Sequence, residues 1–278
     1  MRMRFPRVPG KAVTERWPMY AVGQYFQVWP SSPGASVVSH NANVAYIGFA
    51  NTDNAQQKLK LVGFSSSGQA ALRERVQWMR SQGRLVGVSL GGEGYNVSLV
   101  DPVKQALAVL EISDSLGGID FIDFDIERYP RDYVDDETWA DQHVEFCTQV
   151  RALLGQYFCF TIAPGGQTID SYYRIGSVLQ EKGLLSQFGH QFYWWNISSV
   201  DVVVKSIERA VRIGIPADRL AVGMMLGDRP KFWTQETAAE WMRIVSERCG
   251  VTKTYLWEAA LPGSDEWASN MRGVLPWR

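Results

Sequence analysis

Three carboxylates occupy alternate positions near the end of one short apolar run, Gly118-Ile-Asp120-Phe-Ile-Asp123-Phe-Asp125-Ile-Glu127. If the run is a strand, its side chains alternate between faces, so Asp123, Asp125 and Glu127 share one face while Phe124 and Ile126 take the other. Like charges about 7 Å apart on a buried strand raise at least one pKa and leave a proton shared among the group. Such an arrangement does nothing for stability, but it suits proton transfer. Glu127, last in the run, is placed to stay protonated near neutrality and to act as a general acid. The competing reading, a solvated edge strand with acids on its wet face, fits poorly with Phe121, Ile122, Phe124 and Ile126, which leave no polar edge.

The elements that must position these acids recur along the chain. Eight β-branched or aromatic runs cover residues 19–25, 43–49, 85–90, 119–126, 158–163, 190–194, 220–225 and 254–257, each closing on Gly, Asn, Asp or Pro. Amphipathic stretches of helix length lie between most of them, at 68–82, 102–116, 138–154, 200–213 and 236–248. Asp101 before Pro102 and Ser199 before Val200 are acceptable helix caps. Strand–helix alternation at this spacing predicts a parallel sheet, and eight units in about 250 residues predict a single α/β domain, a (β/α)8 TIM barrel. The first two runs are too close for a full helix, so the first βα unit is degenerate. An open doubly wound sheet is the alternative, but no Gly-rich nucleotide turn follows the first strand. The expected division is an N-terminal extension over residues 1–18 and the barrel over 19–278.

Composition narrows the possible partners. Of 278 residues 46% are hydrophobic and 21% charged, and the formal net charge is -1. Without a basic cluster there is little attraction for phosphate backbones or anionic lipid, so neither nucleic acid nor membrane is an expected partner. No run reaches the ~18 apolar residues of a membrane span, and the first residues lack the apolar core of a signal peptide. Cys147, Cys159 and Cys249 are odd in number and widely spaced, which suits small buried hydrophobes and not a disulfide framework or zinc site. No cofactor or metal is expected, and a monomer is. The aromatic complement of 11 Trp, 11 Tyr and 12 Phe suits a surface that grips flat, amphipathic ligands such as sugars.

The pattern Asp120-x-x-Asp123-x-Asp125-x-Glu127 resembles the DxxDxDxE signature of glycoside hydrolase family 18, the chitinases and their relatives. Val88-Ser89-Leu90-Gly91-Gly92 resembles the family's SxGG element, Thr161-Ile-Ala-Pro164 its fifth strand end, Gln191-Phe-Tyr193 its sixth, and Tyr255-Leu-Trp257 its eighth strand with its Trp. These matches occur in family order over roughly residues 20 to 258. The chain departs from many members in carrying Phe121 where they have Gly and Ile126 where others have Trp or Tyr, and Phe121 is expected to alter packing behind the acids. About 30 residues separate the last two strand runs, too few for the α+β domain that walls the cleft in some members. An open, shallow groove and endo cleavage are therefore expected.

The resemblance implies cleavage of β-1,4 bonds beside N-acetylglucosamine by a substrate-assisted retaining route, an exception to the two-carboxylate rule. Glu127 would protonate the leaving oxygen, Asp125 would bind the 2-acetamido N–H, Asp123 would support Asp125, and Tyr193 would hold the acetamido carbonyl. Spacing alone leaves a direct attack by Asp125 open and offers Asp228 as another partner. Trp257 is the candidate floor under the reacting sugar, and Gln191, Ser89, Asp120, Trp194 and Tyr129 are candidate substrate contacts. Trp195, Tyr95, Trp29 and Phe26 are further aromatics near strand ends, and Ser89 is expected to hydrogen-bond Asp123. His40, His143 and His190 are expected to be ordinary core or surface residues. Chitin or N-acetylglucosamine oligomers are the expected partners, which suggests extracellular action. An endo-β-N-acetylglucosaminidase on N-glycans or peptidoglycan, and a non-catalytic chitin-binding lectin, are the alternatives.

Overall fold

The chain was analysed as a computed structural model, which describes residues 17–27, 38–63, 66–193, 199–227 and 233–275. In chain order its elements are β1 (Ala21–Gln27), β2 (Val44–Asp53), β3 (Lys58–Leu61), α1 (Ser66–Ser81), β4 (Leu85–Gly91), α2 (Pro102–Leu116), β5 (Phe121–Asp125), α3 (Asp136–Leu154), β6 (Cys159–Ile162), α4 (Ile169–Glu181), β7 (Gln187–Gln191), α5 (Val200–Arg212), β8 (Leu220–Met224), α6 (Gln235–Cys249), β9 (Lys253–Leu256) and α7 (Ser264–Val274). Eight strands pair in parallel, and β1 joins both β9 and β2, which closes a (β/α)8 barrel. Strand β3 lies outside the ring, antiparallel to the end of β2. The described part of the β1 to β2 connection carries no helix, as the short spacing predicts.

Local sequence explains the starts of the helices. Asp101 accepts the Lys104 N–H at 3.1 Å with Pro102 in the first turn, where its missing N–H costs nothing. Asp135 accepts the Thr138 N–H at 2.8 Å, so α3 begins at Asp136, two residues before the start the periodicity suggests. Ser199 has extended backbone before α5 but makes no capping bond with its side chain.

Alternation along the strands sorts residues into two cores. Outward side chains, among them Val22, Ile47, Val88, Ile122, Phe124, Ile162, Val222 and Leu256, pack under the helices. Inward ones, among them Tyr25, Tyr46, Phe121 and Tyr255, fill the barrel. The inner core is aromatic because facing strands supply glycine. At Gly189 and Gly223 a Cβ would stand 2.4 Å from Tyr255 side-chain atoms, so the tyrosine occupies space that only glycine leaves.

The bottom of the barrel is closed by Trp17. Its indole meets Phe121 edge-on at 5.0 Å and donates to Gln187 Oε1 at 3.2 Å. Gln187 in turn donates to the Tyr46 hydroxyl at 2.9 Å. Trp17 falls in the segment that sequence sets apart as an extension, yet it packs as part of the barrel's interior.

Candidate active site

The acids lie where parallel register brings three strands together. Ser89 of β4 and Thr161 of β6 flank Asp123 of β5, and Gly91 stands opposite Asp125. Gly91 has φ of 109°, and a Cβ there would come within 2.4 Å of the Asp125 carbonyl oxygen. The next residue, Gly92, donates its N–H to that same carbonyl at 2.7 Å. Glycine is therefore required if β4 is to press this closely on the acidic strand.

Asp123 is buried and accepts three hydroxyl hydrogen bonds, from Tyr25 at 2.7 Å, Ser89 at 2.7 Å and Thr161 at 2.6 Å. Burial raises its pKa, and these three donors pull it back by favouring the anion. Asp125 has no such cage. Burial, then the charges of Glu127 and Asp123, hold its carboxyl well above the ordinary range. It keeps its proton and donates it to Glu127, while Gln191 Nε2 donates to its other side. Gln191 is fixed by a second bond to the Ala163 carbonyl at 2.9 Å.

Glu127 lies just past the end of β5. Burial, then the charge of Glu93, raises its pKa to about 7, against hydrogen bonds from Gln191 and Asp125 and the charge of Arg128. The row therefore runs from a buried carboxyl caged by three hydroxyls, through one held well above the ordinary range, to one raised to about 7 at the mouth. Such an arrangement can hold one proton and deliver it at the mouth. Tyr193 is buried beside it, and burial followed by the charges of Asp125, Glu127 and Asp123 keeps its hydroxyl a neutral donor.

Trp257, one residue beyond β9, forms the apolar side of the mouth. Its indole lies near-parallel to Phe49 at 5.4 Å and meets Tyr25 edge-on at 5.6 Å. The Gly48–Phe49 and Trp257–Glu258 peptide bonds are cis. Tyr129 is 39% exposed beyond β5, packed on Tyr133 at 4.3 Å, with its hydroxyl 2.9 Å from Ser171 Oγ. Tyr95, partly buried, lies 6.4 Å from Phe49.

Several expectations need correction. Asp120 is no substrate contact. It precedes β5 at the barrel's bottom, is 1% exposed, and forms a two-pronged bond with Arg80 at 3.1 Å while accepting the Val86 N–H. Ser89 is fully buried and its hydroxyl is committed to Asp123, so it positions an acid and does not face a ligand. Phe26 points outward into the core under the helices. Strand β7 begins at Gln187, three residues before the run that marks it in the sequence, which leaves Tyr193 in the turn past its end. Trp194, Trp195, Trp29 and Asp228 lie outside the described residues.

Tyr25, Thr161 and Glu93 were not singled out as site residues by sequence. Thr161 was legible in principle, because its parallel register with Asp123 follows from strand order. The histidines are ordinary: His40 is exposed, His143 bonds the Trp139 carbonyl at 2.8 Å, and His190 meets the Tyr173 hydroxyl at 3.0 Å. Cys147, Cys159 and Cys249 are free thiols. Among the described residues no group of three or more His, Cys, Asp or Glu is arranged to hold a metal ion, and no helix is long and apolar enough to cross a membrane.

Fold and site together define a (β/α)8 barrel with a row of proton-sharing carboxylates at the C-terminal end of one strand. More narrowly, the chain has the fold of the family 18 chitinases. A family GH18 chitinase from Chromobacterium violaceum superposes with a TM-score of 0.76 at 18% identity, over 96% of this chain and 86% of that one. The catalytic domain of a family GH18 chitinase from the fern Peteris ryukyuensis superposes with a TM-score of 0.72 at 15% identity, over 91% and 98%. A chitinase-like agglutinin from Robinia pseudoacacia does so with a TM-score of 0.68 at 14% identity, over 91% and 98%. The sequence matches no family profile and no curated protein.

Proposed function

We propose that the protein is a glycoside hydrolase that cleaves β-1,4 linkages of N-acetylglucosamine in chitin or chitooligosaccharides, endo-acting and with retention. The observation that carries this reading is the position of Glu127 at the mouth, raised to about 7 and standing in one row with Asp125, held well above the ordinary range, and Asp123, caged by three hydroxyls. In this reading Glu127 gives its proton to the leaving glycosidic oxygen. The substrate's own acetamido oxygen attacks the anomeric carbon, and the resulting oxazolinium ion is opened by water that Glu127, now a base, deprotonates. Asp125 binds the acetamido N–H and steadies the charge that develops on it, and the Tyr193 hydroxyl donates to the acetamido oxygen. Tethering the nucleophile and pinning it between two side chains replaces a collision with an intramolecular step.

Trp257 supplies the face on which the reacting sugar stacks, with Tyr129 and Tyr95 placed for neighbouring sugars. Between β8 and β9 the described residues hold only α6 and its flanks, which supports an open groove and internal cleavage. The protein acts as a monomer in this reading.

The test is incubation with chitotetraose, cellotetraose and an N-glycan bearing a chitobiose core, with products read by mass spectrometry and their anomers by NMR. Cleavage of chitotetraose with a β-anomeric first product, and no cleavage of cellotetraose, is the expected result. Cleavage of the glycan alone would make it an endoglycosidase. Binding without cleavage would make it a lectin, as the likeness to the agglutinin would then suggest.

A further inference from the structure

Two residues past the last register pair of β4 with the acidic strand stands an acid that the DxxDxDxE signature does not contain, Glu93. Parallel register sets Gly91 against Asp125, so two residues further on Glu93 leaves β4 at the level where Glu127 leaves β5. The backbone on either side is pinned. Gly92 donates to the Asp125 carbonyl at 2.7 Å, and Tyr95 donates back to the Gly92 carbonyl at 3.4 Å, which places Glu93 in a tight turn just past the end of β4, beside the acidic strand. Its side chain is exposed.

We propose that Glu93 is a positioning residue for the reacting proton: its carboxylate, held at the mouth by this turn, faces Glu127 and keeps the proton on that acid. The inference rests on the reading of Glu127 as the acid. Among the described residues the groups that act on Glu127 include Glu93 from the turn after β4, Asp125 and Arg128 from its own segment, and Gln191 from β7, with Tyr193 beyond β7 in turn held neutral partly by the Glu127 charge. Asp125 and Gln191 hydrogen-bond Glu127 and favour its anion, as does the positive charge of Arg128. Glu93 is the opposing charge from another strand, and after burial it is the largest influence on the acid. Because Glu93 is exposed, its effect passes through water and weakens with salt.

The test compares wild type with Glu93→Gln, Glu93→Asp and Glu93→Lys. The pH dependence of kcat/KM on chitotetraose is measured at low and high ionic strength. In parallel, the Glu127 carboxyl is titrated by carbon-13 NMR, its signal assigned by loss in Glu127→Gln. Glu93→Gln lowers the upper limb of the profile and the Glu127 titration together by about half a pH unit, as expected for one charge removed across partly solvated space. Glu93→Lys lowers both further, and Glu93→Asp restores both. High salt narrows the gap between wild type and Glu93→Gln. An unchanged Glu127 titration in Glu93→Gln would overturn the proposal whether or not the protein hydrolyses chitotetraose. A titration that moves in a protein without hydrolytic activity would sustain the electrostatic role of Glu93 and sink the hydrolase reading alone.

Discussion

At the scale of single residues, the unusual feature is three adjacent carboxylates that differ in state because their neighbours differ. Asp123 accepts three hydroxyls, Asp125 hydrogen-bonds Glu127, and Glu127 is raised by burial and by the charge of Glu93. Removing the acid while keeping its shape, by Glu127→Gln, is expected to reduce hydrolysis of chitotetraose by at least about a thousandfold, within the range that general acid catalysis supplies. Binding of the oligosaccharide, followed by calorimetry, should survive. The same substitution should stabilise the fold at alkaline pH. A carboxyl raised from 4.5 to about 7 stabilises the folded state fully below about 4.5, and that contribution is lost as pH rises through about 7. By pH 8 the neutral amide should therefore be more stable than wild type by at most about 3 kcal/mol, seen as a higher Tm. Equal Tm values at pH 8 would mean that Glu127 is not held in its protonated form.

At the scale of elements, the close contact of β4 with β5 and the anchoring of β5 at its lower end position the acids. Gly91→Ala forces a Cβ against the Asp125 carbonyl at a backbone angle that side chains rarely adopt. It should cost about 1–3 kcal/mol in denaturant unfolding and lower kcat more than it raises KM, because the acid strand must move. Asp120→Asn should do the reverse: a lower Tm from the weakened bond to Arg80, with KM for chitotetraose unchanged. A changed KM would return Asp120 to the ligand site.

Elements also show what sequence could and could not convey. The acid strand was legible because a period of two sorts Asp123, Asp125 and Glu127 from Phe124 and Ile126 without any tertiary knowledge. The part played by Asp120 was not, since it depends on Arg80, 40 positions away on α1. Strand β7 begins with Gln187, Phe188 and Gly189, and a polar residue and a glycine hide its start. They are there because Gln187 bonds Trp17 and Tyr46 and Gly189 makes room for Tyr255. Tyr25 went unread for the same reason, as an inward tyrosine looks like core until the aspartate it bonds is placed beside it.

At the scale of the whole molecule, the inner aromatic core supports the acids from below. Phe121, where many of the family 18 proteins this chain resembles have glycine, occupies the level beneath Asp123 and packs on Trp17 and Tyr46, both at 5.0 Å. Phe121→Ala should cost about 3–5 kcal/mol, the usual range for truncating a buried phenylalanine, measured by denaturant unfolding. A loss below 1 kcal/mol would show that the interior collapses around the gap. Acid stability is set largely elsewhere. Burial lowers His143 to about 4 and His190 to about 3, so their contribution is present above about 6.5 and is lost as pH falls through those values. The raised carboxyls oppose this, Glu127 between about 4.5 and about 7 and the two buried aspartates from about 3.8 upward. His143→Gln should therefore flatten the fall of Tm as pH drops from about 6.5 to about 4.

Among the described residues Trp17 plugs the lower end of the barrel, opposite the mouth where the acids end. With an indole and a glutamine packed at the lower end, the route by which buried Asp123 and Asp125 exchange protons with solvent runs toward the mouth, past Glu127. A sugar bound across the mouth would then cut the whole row off from the buffer. Binding must fix the number of protons trapped beneath the ligand, so the heat of binding should vary with the ionisation enthalpy of the buffer used. In Trp17→Ala, with a second route to solvent, the protonation of the row could still adjust while the ligand is in place.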